Sequence, residues 1–214
     1  MKKFGFIFFS LFAFGHFIFS CSGPKIHNIE INGIGTYPTP LVKPLPIRVG
    51  VYYGKDFSTF ETIQKVGVAG VGLTYVDKIK MGKANIALFS YILSTVFEKI
   101  TPIRYQPNGY NHLKDIDLII EPTVYRYTYP NVTADGVYIH VTYEINFYLP
   151  EGKLINSWRI QGTGHVPPRF ELKTENTAVI ELTQMAMRRV AAKFITGFCN
   201  QREIKKIFDK QCNP

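Results

Sequence analysis

The chain has 214 residues, of which 46% are hydrophobic and 19% charged, and its formal net charge is +9. That apolar fraction excludes a collagen-like, low-complexity or wholly disordered protein. The length suits one ordinary domain, and 13 Tyr with 17 Phe supply the volume for a sizeable core.

At the N-terminus, Lys2 and Lys3 precede an apolar run from Phe4 to Phe19 that holds eight of the 17 Phe. A basic start followed by a short apolar core is the form of a secretory signal. The run ends in Ile18-Phe19-Ser20-Cys21, followed by Ser22, Gly23 and Pro24. An aliphatic-x-small-Cys sequence in this place resembles the lipobox of bacterial lipoproteins, with one departure: Phe19 stands where a small or aliphatic residue is usual. The resemblance implies a signal peptide over 1–20, cleavage before Cys21, and acylation (palmitate among the chains) of that residue's thiol and freed amine. An ordinary secretory signal cut elsewhere and a retained membrane helix are the alternatives; a span needs about 20 apolar residues, and this run is shorter. Two or three acyl chains hold a protein stably on a membrane, where one binds only marginally. Ser22 stands where an Asp favours inner-membrane retention in the enterobacterial pattern, so the expected place is the outer membrane, on its periplasmic side.

Besides Cys21 the chain has Cys199 and Cys212. An even remainder in an oxidising compartment points to a disulfide between these two, with a pair of free thiols as the alternative. The bridge would tie the segment from Arg202 to Phe208 back onto the domain. Two Cys without nearby His do not make a zinc site.

Residues 21–46 read as a lipidated Cys and a Pro-rich tether, since Pro24, Pro38, Pro40, Pro44 and Pro46 with Gly33 and Gly35 leave little room for regular structure. Ile29-Glu30-Ile31 can pair briefly, but a semi-extended strap is the simpler reading. A single domain over 47–214 is expected to open with a strand at Ile47–Tyr53. Gly67, Gly70 and Gly72 have the reverse of the dinucleotide-loop spacing, and a hairpin or loop is expected there. Apolar residues at helical spacing predict a helix over Ala84–Ile100, stopped by Thr101-Pro102. Asp117–Pro122 reads as a strand that continues to Tyr127. Strict alternation predicts a long strand from Val137 to Leu149 with one buried face. After a turn at Pro150-Glu151-Gly152-Lys153, a partner strand runs from Leu154 to Gly162, with Trp158 and Ile160 turned inward. A second long helix is expected over Thr174–Phe198, capped by Thr174. The fold class is therefore α/β (α+β): a mixed, mainly antiparallel sheet with two long helices packed on one face.

No H-x-x-x-H, C-x-x-C, P-loop, G-x-S-x-G or EF-hand pattern is present, and His16, His27, His112, His140 and His165 are scattered. Asp117 with Glu121, or Glu144 with Asp135, could serve as paired carboxylates, but locally bonded acids at strand ends are the plainer reading. No catalytic residue, cofactor or metal site is therefore expected. Loss of residues 1–20 leaves a charge of +7. Export makes nucleic acid an improbable partner for it. Arg188, Arg189, Lys193, Arg202, Lys205, Lys206 and Lys210 form either a solvated face or a surface for anionic lipid, polysaccharide or protein.

The order of segments resembles a broad group of small bacterial envelope lipoproteins: the curli-secretion lipoprotein, the penicillin-binding-protein activators, the Pel-polysaccharide lipoprotein and YajG-like proteins. The likeness is one of pattern, carried by Leu45–Val51 after the tether, the Gly82–Lys99 helix, Asp117–Pro122, and Tyr143–Gly164 with its turn. It implies an α/β domain that binds or scaffolds envelope components, sometimes as an oligomer. The expected function is a membrane-anchored, non-enzymatic accessory of an envelope assembly or transport machine, with envelope proteins as partners and Tyr125, Tyr127, Tyr129, Tyr138 and Tyr148 as surface candidates. A lipid or glycan carrier with a pocket between sheet and helices is the alternative, and a cell-wall hydrolase the third reading.

Overall fold

The structure is a computed structural model that describes residues 25–35, 43–67, 74–107, 115–167 and 175–213. The signal peptide 1–20, Cys21, Pro38, Pro40, Gly70, Gly72 and the Thr174 cap lie outside the described residues. In chain order the elements are β1 (Lys25–Glu30), β2 (Leu45–Val51), a single helical turn α1 (Lys55–Ser58), β3 (Glu61–Gly67), β4 (Thr74–Lys80), α2 (Gly82–Val96) and β5 (Phe97–Pro102). They continue with β6 (Leu118–Thr133), β7 (Gly136–Tyr148), β8 (Leu154–Val166), α3 (Glu175–Gly197), a 3-10 turn, α4 (Arg202–Ile207) and α5 (Asp209–Cys212). The fold is α+β, with the strands in two mixed sheets: β1-β4-β3 and β5-β2-β6-β7-β8.

The alternation of β7 sets the larger sheet. Ile139, Val141, Tyr143, Ile145 and Phe147 are buried, while Tyr138, His140, Thr142, Glu144, Asn146 and Tyr148 on the other side are half-buried. Both long helices lie on the buried side. Phe57, Phe89 and Tyr143 meet edge-to-face, with Phe89 and Tyr143 5.3 Å apart, and Phe147, Trp158, Phe194 and Phe198 form a second ring cluster. Trp158 is half-buried there and Ile160 fully so. Within the core, the Tyr143 hydroxyl donates to Asn85 Oδ1 at 2.7 Å and the Asn85 amide to the Phe57 carbonyl, so this buried polar group is satisfied.

The helix expected over Ala84–Ile100 ends at Val96, and residues 97–100 belong to β5. In a continued helix the Pro102 ring would collide with the carbonyl of residue 98. The chain instead turns extended at Phe97 (φ −123°, ψ 142°) and pairs in parallel with β2. Helix α3 spans 175–197, within a residue of expectation, with Val179, Leu182, Ala186, Val190 and Phe194 buried. It lies on β8 where two glycines face it. A Cβ at Gly162 would stand 1.9 Å from the Ala186 carbonyl oxygen, and one at Gly164 1.9 Å from that of Leu182. Only a strand stripped of side chains admits a helix backbone so closely.

Residues 25–35 fall inside the span expected as a tether, yet 25–30 are a strand in parallel with β4, and Ile29, Ile31 and Ile34 are buried. The apolar Ile at alternate positions overcame the surrounding prolines, because pairing with β4 buries Ile29 beside Ile79. Asp77, also buried, faces His27 Nδ1 at 3.3 Å in the same pair of strands. Strands β3 and β4 are antiparallel, which agrees with the hairpin expected around the glycines.

At the start of β6, Asp117 locks the central register. Its carboxylate receives Arg48 Nη2 at 2.7 Å, Arg48 Nε at 3.0 Å and the Arg48 backbone N–H at 2.9 Å, while its own N–H donates to the Arg48 carbonyl. At the other end of the chain Cys199 and Cys212 form a disulfide with Cα atoms 5.4 Å apart. It holds α4 and α5 so that Ile204 and Phe208 reach the core.

Three measurements test this packing. Gly164→Ala should lower stability by at least about 1–3 kcal/mol through overpacking, seen as a lower urea midpoint, while the exposed Ser157→Ala stays within about 0.5 kcal/mol. Replacing Cys199 and Cys212 together with Ser should cost about 3 kcal/mol and expose the 200–213 segment to protease. The Arg48 side-chain hydrogen bonds hold the Asp117 carboxyl below its ordinary range. Such a group stabilises the fold above its unfolded pKa and loses that contribution as the pH falls through the folded value. Asp117→Asn should therefore weaken the protein at pH 7 and flatten its loss of stability below about pH 4.

Candidate functional site on the open sheet face

The side of the larger sheet away from the helices has two parts. Over β2 it is covered: Ile116 and Ile103 stand against Gly50, and Ile119 is buried. On β6 from Thr123 onward, on β7 from Tyr138 to Tyr148 and on β8 from Ser157 to His165, the residues of this side whose exposure is described are exposed or half-exposed, while Glu121 is buried. Register brings the polar residues of three strands into rows: Arg126, Thr142 and Gln161; Thr128, His140 and Thr163; Thr123, Glu144 and Arg159. The irregularity between Val124 and Arg126 shifts Tyr125 into the same face, where the Arg159 guanidinium lies 3.8 Å from its ring centroid.

These side chains hold one another. Arg159 Nε donates to Glu144 Oε1 at 2.7 Å, so that guanidinium is fixed between a carboxylate and an aromatic face. Hydrogen bonding to Glu144 keeps the Arg159 charge firmly in place by raising its pKa. Tyr138 and His165 stack with ring centroids 4.3 Å apart, and His165 Nε2 donates to the Asp135 carbonyl at 3.1 Å. His140 Nδ1 lies 2.9 Å from Thr163 Oγ1, and Ser157 donates to Asn146. The result is a preformed polar and aromatic surface on which Tyr125 and Arg159 are both exposed.

The residues singled out from sequence fall in different places. Tyr125, Tyr138 and Tyr148 are on this face. Tyr148 donates to Glu121 Oε2 at 2.7 Å, and burial together with that bond pushes its phenol far above its ordinary value. Tyr127 instead turns into the core, its hydroxyl 3.0 Å from Thr183 Oγ1, and burial raises it likewise. The Tyr129 side chain is outside what the structure describes. Of the candidate carboxylates, Asp117 is held by Arg48, Glu121 by Tyr148 and Glu144 by Arg159. Among the described residues no group of three or more His, Cys, Asp or Glu is placed to hold a metal. The ring clusters of Phe57, Phe89, Tyr143, Phe147, Phe194 and Phe198 occupy the interface in which the carrier reading sets its pocket.

The helical basic residues have a role the sequence did not suggest. Arg189 donates to the Thr163 carbonyl and Lys193 to that of Gln161 at 2.8 Å, both on the outer edge of β8, and Arg188 donates to the Ile34 carbonyl. Arg159 and His165 went unnoticed as surface residues because their face depends on the register across the 150–153 turn. Their alternation with Ile160 and Gly164 was the available signal.

No family model and no curated protein matches the chain by sequence. Among solved structures it is similar to a Xanthomonas campestris protein of the family DUF330, at 12% identity and a TM-score of 0.46, over 87% of this chain and 99% of that one. It is also similar to a minor lipoprotein from Acinetobacter baumannii, at 9% identity and a TM-score of 0.44, over 75% and 96% of the two chains. A hypothetical protein from Chlamydia trachomatis matches at 9% identity and a TM-score of 0.36, over 73% and 99%. Likenesses this distant carry no functional inference, and none of the three descriptions names a group whose segment order the sequence resembles.

Proposed function

We propose that this chain is an envelope lipoprotein, anchored through Cys21 at the periplasmic side of the outer membrane, that serves an assembly or transport machine by binding rather than by catalysis. The open face of β6, β7 and β8 is its docking surface for a protein partner. The observation that carries this reading is the preordered Tyr125–Arg159–Glu144 group beside the Tyr138–His165 stack. Tyr and Arg are the residues that anchor interfaces, since each presents a large area at low entropic cost when already held in place. The polar and aromatic character of the face suits a partner that brings hydrogen-bonding groups or rings. Support for the anchor is the Ile18-Phe19-Ser20-Cys21 sequence behind a basic start and an apolar run. Among the described residues no helix is long and apolar enough to cross a membrane.

Two measurements test the two halves. Alkyne fatty acid fed to cells should label the wild type in the outer-membrane fraction and leave Cys21→Ala unlabelled; an unlabelled wild type would remove the anchor. A photo-crosslinking residue at position 125 or 138 should give one discrete adduct with an envelope protein in cells, while the same residue at the exposed position 206 gives none. Identical patterns from the open face and from position 206 would overturn the docking surface.

A further inference from the structure

The small sheet has its own uncovered face, and its residues are graded along the strands. Register aligns three rows on that face. The first holds Ile26, Val76 and Lys65; the second Asn28, Lys78 and Ile63; the third Glu30, Lys80 and Glu61. The opposite face carries the buried Ile29, Asp77 and Ile79. Two large apolar side chains stand out into solvent on the outer face, Ile26 at 61% exposure and Ile63 at 60%. Both acids of the face lie in the third row. Glu30 is paired with Lys83 and Glu61 with Lys78, each at 2.8 Å. Lys25, Lys65 and Lys80 have no ion pair among the described residues. The first two rows therefore offer Ile26, Val76 and Ile63 with the positive charges of Lys65 and Lys78 and no acid, while Lys25, opposite Tyr75, belongs to the other face.

The direction of β1 gives this gradient a meaning. It starts at Lys25, so the acid-free rows are those nearest Cys21 in the chain, and the acidic row is the farthest. Three residues stand between Cys21 and Lys25, and the four residue steps reach at most about 14 Å when extended. A tether running to residue 46 would let the domain stand well clear of its anchor; a strand that begins at Lys25 does not. The start of β1 is thus held within about 14 Å of the anchored residue, which is one to two Debye lengths at about 8–10 Å each.

Resting on the anchor reading above, we infer that the outer face of β1, β3 and β4 docks on an anionic lipid bilayer, with Ile26 and Ile63 entering the headgroup layer and Lys65 and Lys78 meeting lipid phosphates. Acylation supplies proximity, and this face sets orientation. A protein anchored by acyl chains alone can tumble about its attachment. One that also lays a basic and apolar sheet on the membrane presents its remaining surfaces at a fixed angle.

The test separates the face from the acyl chains. The full mature chain carrying Cys21→Ser, which has no acylation site, is floated with phosphatidylethanolamine–phosphatidylglycerol vesicles and with phosphatidylcholine vesicles. It should float with the first, less so as salt is raised, and not with the second. Lys65→Glu with Lys78→Glu should cut that binding at least about tenfold, while Lys205→Glu with Lys206→Glu, exposed on α4, leaves it unchanged. Equal losses from the two pairs, or no flotation at all, would overturn the docking face. A polarity-sensitive dye on Ile63→Cys should shift to the blue on vesicles and one on Ser157→Cys should not, and the reverse would overturn it as well. Matching thermal midpoints for all variants show that each is folded. Fatty-acid labelling of the wild type without vesicle binding by the Cys21→Ser chain sinks this face and leaves the anchor standing. Vesicle binding without labelling sinks the anchor and supports the face.

Discussion

A helix backbone set directly against a strand is the contact on which the larger layer depends. Because β8 offers Gly162 and Gly164 where α3 crosses it, the helix settles with no side chain between the two backbones. That closeness brings Val190 and Phe194 into the same core as Phe147 and Ile160. It also commits one face of the sheet entirely to the helices. The charged and imidazole side chains of β7 and β8 then appear on the other side, where Tyr138, His140, Glu144, Arg159 and His165 are found. The open face is thus the geometric complement of the glycine contact.

Much of this was legible in the sequence where one physical signal dominated. The period of two in Val137–Leu149 fixed a strand and its buried face, and the leftover pair of cysteines after Cys21 pointed to the observed bridge. Legibility failed where two signals competed. Val96, Phe97 and Ile100 continue the helical spacing of α2, yet Pro102 ends it early and the same residues serve a strand equally well. The small sheet was harder still. Its strands mix Lys, Glu, Thr and Gln with isolated Ile, so no window has a strong period, and β1 sits among prolines and glycines. Its existence rests on pairing between segments about fifty residues apart, which no local pattern reports. The open face was half legible for a related reason. Tyr125 and Tyr138 could be named, but Arg159 and His165 join them only through cross-strand register.

Charge is distributed differently from its order in the chain. The cluster Arg188, Arg189 and Lys193 looks like one basic patch in sequence, but each side chain reaches a backbone carbonyl of a neighbouring segment. Charged donors are strong partners for such carbonyls, so these residues act as fasteners for α3 while still carrying charge at the surface. Charge without an ion pair among the described residues is found instead in the small sheet, on Lys25 of β1 and Lys65 of β3, which are forty residues apart in the chain and lie at the same end of that sheet.

The fastening of β8 has a consequence for how the domain can associate. An edge strand normally presents a row of free carbonyls and amides on which another chain can add a strand. Along β8 the outward carbonyls of Gln161 and Thr163 already accept from Lys193 and Arg189, and those long side chains lie across the edge. Growth of the sheet by strand addition is blocked there without any proline or bulge. A protein that docked on this side would therefore meet it face to face through side chains, rather than by its backbone zipping into a continuous ribbon.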